Sequence, residues 1–517
     1  MKSEQKNPDA VELAPLPVPV DFESDMDRPV PFDAGATVRL DCPDAAAATW
    51  LAHHFADWFG AQAPRVVAEA GAGQRIPATG GASSPSEPSP ANGGASPPGE
   101  PESYTVFADS SGVRIAARSL AGVRWAAYSL RQLAIARRGT LRTEGRLLPT
   151  LRISDAPRLA LRAVHLCWFP ETRPERIERA IRLAALLKFN CAIVEPWGTF
   201  RSARHPWFGW PDAPATPEAL SRLAAIGSDL GVTLVPQLNV FGHASLSRTS
   251  SLKHAALDLR PEYEPLFEPG GWNWCLSNPE ARRVLRELVD EMHEACGRPP
   301  FFHLGCDEAQ PPSCPACRRR PYGELVREHV AAFAAFVRER GARAMVWHDM
   351  LLDRRDPRWN GYIVCGDERL TGLLDKLPRD FIVCDWQYYY PDEGGKLKEP
   401  DWTTTKHFIA SGRDTLACPW LNTAGTLSLG RCIADQHGFG LLETSWHRIQ
   451  GHDFFRVFFH GAWAAWNPHA DSPNHAHCDL LALMDFHVRQ TTQDMGATRY
   501  EEFGISQKQI HGPYYQG

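Results

Sequence analysis

The chain has 517 residues, enough for two to four domains or for one large barrel with additions. Apolar residues make up 43% and charged residues 22%, as in a soluble globular protein with material for a sizeable core. The net charge of −6, with no basic stripe anywhere along the chain, argues against a nucleic-acid binder, and no apolar run approaches the length of a membrane span. The opening MKSEQKNPDAVELAPLP has no apolar secretory core, and the 13 cysteines are odd in number and scattered, so the expectation is a cytoplasmic protein with reduced thiols.

Taken in chain order, residues 1–30 are polar and proline-rich and read as an extended lead-in. ATVRLD, ending at Asp41, reads as a strand. Trp50, Leu51, Phe55 and Trp58 then recur at helical spacing over 45–59. Residues 71–102 are dominated by Gly, Pro, Ser and Ala with little to bury, the composition of a disordered surface loop. Strand alternation resumes in YTVFAD (104–109) and VRIAA (113–117). A helix over 122–137 follows, with Val123, Ala126, Ala127, Leu130 and Leu133 on one face. Residues 31–150 thus read as a small α+β domain.

Beyond 151 the rhythm becomes strand, helix, strand. Eight strand candidates begin at Arg162, Phe189, Val232, Phe301, Ala344, Phe381, Thr415 and Gly440, and helical stretches at 174–188, 217–230, 279–296 and 321–340 separate several of them. Near-continuous apolar strands alternating with helices predict a parallel sheet covered on both faces, and eight such units fit a (β/α)8 TIM barrel spanning 151–517 with a C-terminal helical extension. GYIVC (361–365) is assigned to an insertion.

A barrel of this kind carries its working residues at the carboxyl ends of its strands. Those ends supply Glu195; Asn239 and His243; Asp307 and Glu308; Trp347, His348 and Asp349; Asp385, Trp386, Tyr388 and Tyr389; Trp420 and Asn422; and Trp446. Carboxylates ringed by Trp and Tyr suit a carbohydrate site, with acids for glycosidic cleavage and rings for stacking on sugar faces. The adjacent acids of His303-Leu304-Gly305-Cys306-Asp307-Glu308 point in different directions and can serve one reaction centre in two roles.

HLGCDE resembles the His-x-Gly-Gly-Asp-Glu signature of glycoside hydrolase family 20, the β-N-acetylhexosaminidases. PRLALRAVHL (157–166), LLKFN (186–190) and VPQLNVFGHAS (235–245) are similar to the family's first three barrel strands, and residues 104–133 resemble its preceding α+β domain. The FGH and TSW forms look closer to the hexosaminidase D-like branch. The resemblance implies an exo-acting, retaining enzyme that removes terminal GlcNAc or GalNAc from oligosaccharides or glycoconjugates. The substrate's own acetamido oxygen would be the nucleophile, and an oxazolinium ion the intermediate. It implies that Asp307 holds the acetamido N–H and Glu308 is acid, then base. Arg162 would grip sugar hydroxyls, His243 would support the acids, and Trp347, Trp386 and Trp446 would wall the pocket. Glu195 and His303 complete the expected substrate-binding set, with Tyr388, Tyr389 or Tyr390 on the acetamido oxygen. The resemblance implies no cofactor and no metal.

Departures are Cys306 in place of the second glycine, Glu195 in place of the common Asp, and Trp446-His447-Arg448 where the family has Trp-x-Glu. Cys314-Pro-Ala-Cys317 is half a zinc site that Cys296, Cys306 or a histidine would have to complete, and alone it reads as structural thiols. The His-rich 469–478 reads as a loop. Two other readings are a non-catalytic glycan-binding protein on a hydrolase-derived barrel, and a metal-dependent barrel hydrolase.

Overall fold

The computed structural model describes residues 15–17, 19–69, 101–136, 147–170, 172–244, 257, 260–388, 392–393, 396–397, 400–420, 422–446 and 452–470. Its strands, in chain order, are β1 (Asp21–Pro31), β2 (Thr37–Asp41), β3 (Arg65–Ala68), β4 (Tyr104–Asp109), β5 (Gly112–Ala117) and β6 (Leu147–Asp155); then β7 (Leu161–Trp168), β8 (Cys191–Pro196), β9 (Thr233–Pro236), β10 (Phe301–His303), β11 (Arg343–Trp347), β12 (Ile382–Trp386), the short pair β13 (Asp392–Glu393) and β14 (Lys396–Leu397), β15 (Thr415–Cys418) and β16 (Gly440–Glu443). Contacts divide the described chain into two units, the first running to Arg158 and the second from Leu159 to Pro468.

In the first unit six strands form one mixed sheet in the order β1-β6-β4-β5-β2-β3. Alternation in β4 and β5 buries Tyr104, Val106, Ala108, Val113 and Ile115 on one face, against helix Leu120–Ala136, which also packs on helix Ala47–Phe59. All five apolar positions expected on the second helix, Val123 to Leu133, are buried. The segment expected as a lead-in is β1 from Asp21 onward, paired antiparallel with β6. It is the sheet's edge, where a charged, half-exposed strand is tolerated and leaves no apolar alternation to read. Strand β6 crosses residue 150, so the expected boundary moves to Arg158. The expected loop at 71–102 lies outside the described residues apart from Pro101 and Glu102, as does most of 469–478 and all of the chain beyond 470.

The second unit is an eight-stranded parallel sheet in the order β10-β11-β12-β15-β16-β7-β8-β9. Its ends meet: Gln237 bridges His303, and Leu238 and Val240 donate backbone N–H bonds to His303 and Leu304 at 3.0 and 3.1 Å. This is a TIM barrel, with all eight expected strands in place. Leu161, Ala163, Cys191, Ile193, Val235, Met345, Ile382, Cys384, Leu416, Cys418 and Leu442 fill its interior. Outer helices start where the chemistry of their first residues dictates. Thr216, Asn278 and Asn422 cap helices Pro217–Leu230, Pro279–Ala295 and Thr423–Asp435 through their side-chain oxygens, and proline opens the first two. Between β11 and β12 the chain makes only short turns and a one-turn helix at Leu373–Lys376; residues 361–365 lie there and form no strand. No helix among the described residues is long and apolar enough to cross a membrane.

Candidate active site

After His303 the chain turns through Gly305 (φ 65°), Cys306 (φ 75°) and Glu308 (φ 49°), all left-handed. Only glycine fits at 305, because a Cβ there would lie 1.5 Å from Asn239 Oδ1. A left-handed L-residue costs on the order of 1–2 kcal/mol. Cys306 and Glu308 bear this strain, as do His243 (φ 52°) and Trp446 (φ 43°). Backbone strain of this kind gathers where surrounding structure imposes a geometry for use.

The turn separates the two acids. The Asp307 side chain is 5% exposed and that of Glu308 is 45% exposed. His243, from the loop after β9, lies between them, with Nε2 3.3 Å from Asp307 Oδ2 and 3.1 Å from Glu308 Oε2. Trp272 packs against the His243 ring at 4.4 Å, tilted by 51°, and donates its Nε1–H to the Glu308 carbonyl at 2.7 Å. One acid is thus walled in and fixed, while the other reaches an open cavity of about 360 Å³ bordered by Trp272, Gln310, Tyr322, Arg354 and Asp367.

Asp349, at the end of β11, joins the pair from below. Its Oδ2 accepts the Glu308 backbone N–H at 2.8 Å and its Oδ1 accepts Trp386 Nε1–H at 3.2 Å. Burial, reinforced by the charge of Asp307, pushes its carboxyl up to about 6. Behind it, His348 lies 3.2 Å from Asp385, whose other oxygen accepts Thr404 and Thr405 hydroxyls at 2.9 and 2.6 Å. This buried network fixes the frame on which Trp386 sits.

The rings expected to form the wall lie together at the barrel's interior and mouth. Trp347 lies fully buried between His303 (4.3 Å), Trp446 (5.5 Å) and His165 (5.9 Å). Tyr388 faces Trp386 at 5.1 Å and Trp420 at 5.3 Å, and its hydroxyl accepts Trp446 Nε1–H at 2.6 Å. Of the three candidate tyrosines, Tyr388 thus packs among these rings; Tyr389 and Tyr390 lie outside the described residues. Glu195 is buried at the end of β8, 3.1 Å from His165 Nε2 and 3.3 Å from Asn239 Nδ2. His303 accepts the Gly305 N–H at Nδ1 (3.0 Å), which puts a neutral ring's proton on Nε2.

Arg162 is not in the site. It stands at the amino end of β7, buried, donating to the Lys188, Leu159 and Ala160 carbonyls and stacked on Trp466 at 4.9 Å. Its parity sends it outward while Leu161, Ala163 and His165 point in, so His165 is what this strand contributes to the mouth. Sequence reasoning gave no role to Asp349 and Asn239 and did not name Trp272 or His165 at all. The first two were visible as polar strand ends; Trp272 comes from a long loop and carried no local signal. Nor do Cys296 or Cys306 join the Cys314/Cys317 pair: Cys275 and Glu268 lie beside it, with the side-chain sulfur and oxygen atoms of the four all within 4.8 Å of one another.

A parallel barrel whose mouth holds an adjacent Asp–Glu pair, bridged by histidine and walled by Trp and Tyr, is that of a glycoside hydrolase. Residues 213–424 match the catalytic domain of glycosyl hydrolase family 20, and residues 11–156 match that family's domain 2. The chain carries both domains and is a family 20 glycoside hydrolase. The fold is similar to the β-N-acetylhexosaminidase of Bacteroides fragilis (TM-score 0.63, 16% identity, 94% of this chain and 99% of that one). It is also similar to the Streptomyces plicatus N-acetyl-β-hexosaminidase solved with thio-NAglucal (TM-score 0.64, 15% identity, 94% and 96%). A third similar structure is the Vibrio harveyi exo-β-N-acetylglucosaminidase solved with N-acetylglucosamine (TM-score 0.62, 16% identity, 91% and 77%). No curated protein matches the chain.

Proposed function

We propose that the protein is an exo-acting, retaining β-N-acetylhexosaminidase that removes terminal GlcNAc or GalNAc by substrate-assisted catalysis. What carries the reading is the pair Asp307–Glu308 with His243 3.3 and 3.1 Å from its two carboxylates, one acid buried and the other open to the cavity. A protein nucleophile needs a second free carboxylate facing the anomeric carbon. Asp307 is instead held in the wall, suited to accept an N–H and to balance positive charge. In the proposed first step the acetamido oxygen attacks C1, the glycosidic C–O bond breaks, and Glu308 gives its proton to the leaving oxygen. In the second step Glu308 takes a proton from water as the water oxygen attacks C1, the oxazolinium ring opens, and the β-configured sugar leaves. His243 holds the two carboxylates in register, and Trp272 fixes the backbone of the acid. Tyr388, with its hydroxyl turned towards Trp446, is the donor proposed for the acetamido oxygen.

Substrates are oligosaccharides or glycoconjugates ending in an N-acetylhexosamine. The proposal includes the affinity with the hexosaminidase D-like branch and a cytoplasmic location, supported by the sequence features above. The test is hydrolysis of the p-nitrophenyl β-glycosides of GlcNAc, GalNAc and glucose. Cleavage of the N-acetyl sugars without the glucoside supports acetamido participation; equal cleavage of the glucoside overturns it.

A further inference from the structure

Two long loops frame the acid, and a cluster of sulfur and carboxylate joins them a few residues away. The loop after β9 supplies Glu268 and Cys275; the loop after β10 supplies Cys314 and Cys317. Cys275 Sγ lies 3.7 Å from both Cys314 Sγ and Cys317 Sγ. A disulfide needs about 2.05 Å, so these sulfurs are not bonded. A tetrahedral zinc with Zn–S bonds of about 2.3 Å has S···S edges of about 3.8 Å. The spacing is that of a ligand set.

The fourth position is filled in the same sense. Glu268 is 4% exposed, and its Oε2 accepts the backbone N–H groups of Ser313 and Cys314 at 2.8 and 2.7 Å. These bonds orient the carboxyl, and Oε1 stays buried with no hydrogen-bond partner among the described residues. An unpaired buried carboxylate oxygen costs on the order of 1–3 kcal/mol or more unless something coordinates it. The Cys314 sulfur also accepts the Cys317 N–H at 3.3 Å, which directs the Cys-x-x-Cys turn around its own sulfur. A surface hollow of about 540 Å³ bordered by Phe267, Cys275, Ser277, Cys314 and Arg319 gives an ion access.

We propose that Glu268, Cys275, Cys314 and Cys317 bind one structural zinc ion, which clamps the two loops that hold the acid. Three thiolates and one carboxylate, closed into four-coordination, suit zinc and leave no open position for catalysis. Binding releases the three thiol protons to solvent, and no redox step is involved. Between the clamp and Glu308 the loops are already joined. Asn273 donates to the Gln310 carbonyl at 2.5 Å and accepts its N–H at 3.1 Å, and Trp272 holds the Glu308 carbonyl. The zinc therefore acts on Glu308 through backbone placement and touches no substrate.

The test uses the full chain purified without chelator. Metal analysis is expected to find one zinc per chain. Replacement by Co²⁺ is expected to give the thiolate charge-transfer and intense visible bands of a tetrahedral sulfur site. The Cys314→Ser/Cys317→Ser variant is expected to lose the metal, and Glu268→Gln to bind it more weakly. Because such variants can misfold, wild type stripped by a strong chelator is the parallel sample: its melting temperature should fall by several degrees and its kcat at least tenfold, with KM less affected, both restored by Zn²⁺. Metal content and the cobalt spectrum do not depend on the proposed glycosidase reading, so failure of that reading is distinguishable. Sub-stoichiometric zinc with no uptake on adding Zn²⁺, or a disulfide among these cysteines by mass spectrometry, overturns the site. Unchanged kcat in the stripped, folded protein overturns the clamp.

Discussion

Replacing Asp349 by Asn tests the electrostatics beneath the acid. The wild-type carboxyl is shifted from 3.8 up to about 6 by burial and by Asp307. A raised folded value means that the group stabilises the protein fully below its unfolded pKa and that this stability is lost as pH rises through about 6. At about 1.4 kcal/mol per pK unit, the wild-type term falls by about 2 kcal/mol between pH 4.5 and 7.5. Asn carries no such term. It keeps one acceptor, so either the Glu308 N–H or Trp386 Nε1–H loses its partner, a pH-independent cost of about 1–3 kcal/mol. The variant should therefore be the less stable protein at pH 4.5 and recover about 2 kcal/mol relative to wild type by pH 7.5. Urea unfolding at both pH values measures this. A stability difference that stays constant, or moves against the variant as pH rises, refutes the reasoning.

Gly305→Ala places a methyl 1.5 Å from Asn239 Oδ1 at φ 65°. The left-handed strain and the loss of the Asn239–Glu195 hydrogen bond together predict a destabilisation of about 3–4 kcal/mol by denaturant titration, with turnover reduced in the folded fraction. Arg162→Lys should lower stability by more than about 1 kcal/mol, since a lysine cannot reproduce the forked donation to three carbonyls. It should leave KM for an aryl β-GlcNAc unchanged, and a large KM rise would return Arg162 to the site. Glu443, at the outer end of β16, is fully buried with neither oxygen hydrogen-bonded among the described residues, and burial pushes its carboxyl well above the usual range. Glu443→Leu is expected to raise stability by about 1–3 kcal/mol in thermal or urea unfolding at neutral pH.

Barrel strands were legible because they are short, apolar on both faces and bounded by helices whose caps and prolines announce themselves, as at Thr216-Pro217 and Asn278-Pro279. The edge strand β1 was not, because half of an edge strand faces solvent and its charges mask the alternation. Asp307, Glu308, His243 and the indole rings of Trp347 and Trp446 were legible as candidates because they stand at or just past strand ends, where barrels of this kind concentrate function. Arg162 misled because a strand buried on both faces hides which parity points inward, although its place at the amino end of β7 already argued against it. Trp272, Glu268 and Cys275 were invisible for a different reason. Their partners lie 36–46 residues away in another loop, and only the folded barrel brings the two loops together.

The most direct test of the account is turnover by Glu308→Gln, which keeps the backbone N–H bond to Asp349 and removes only the proton donor. On chitobiose, whose leaving group needs protonation, kcat should fall by about 10²–10⁴, and on an activated dinitrophenyl β-GlcNAc, whose leaving group does not, the first step should be far less affected. Wild-type turnover of chitobiose by this variant would contradict the assignment of Glu308 as the acid, and with it the proposed mechanism.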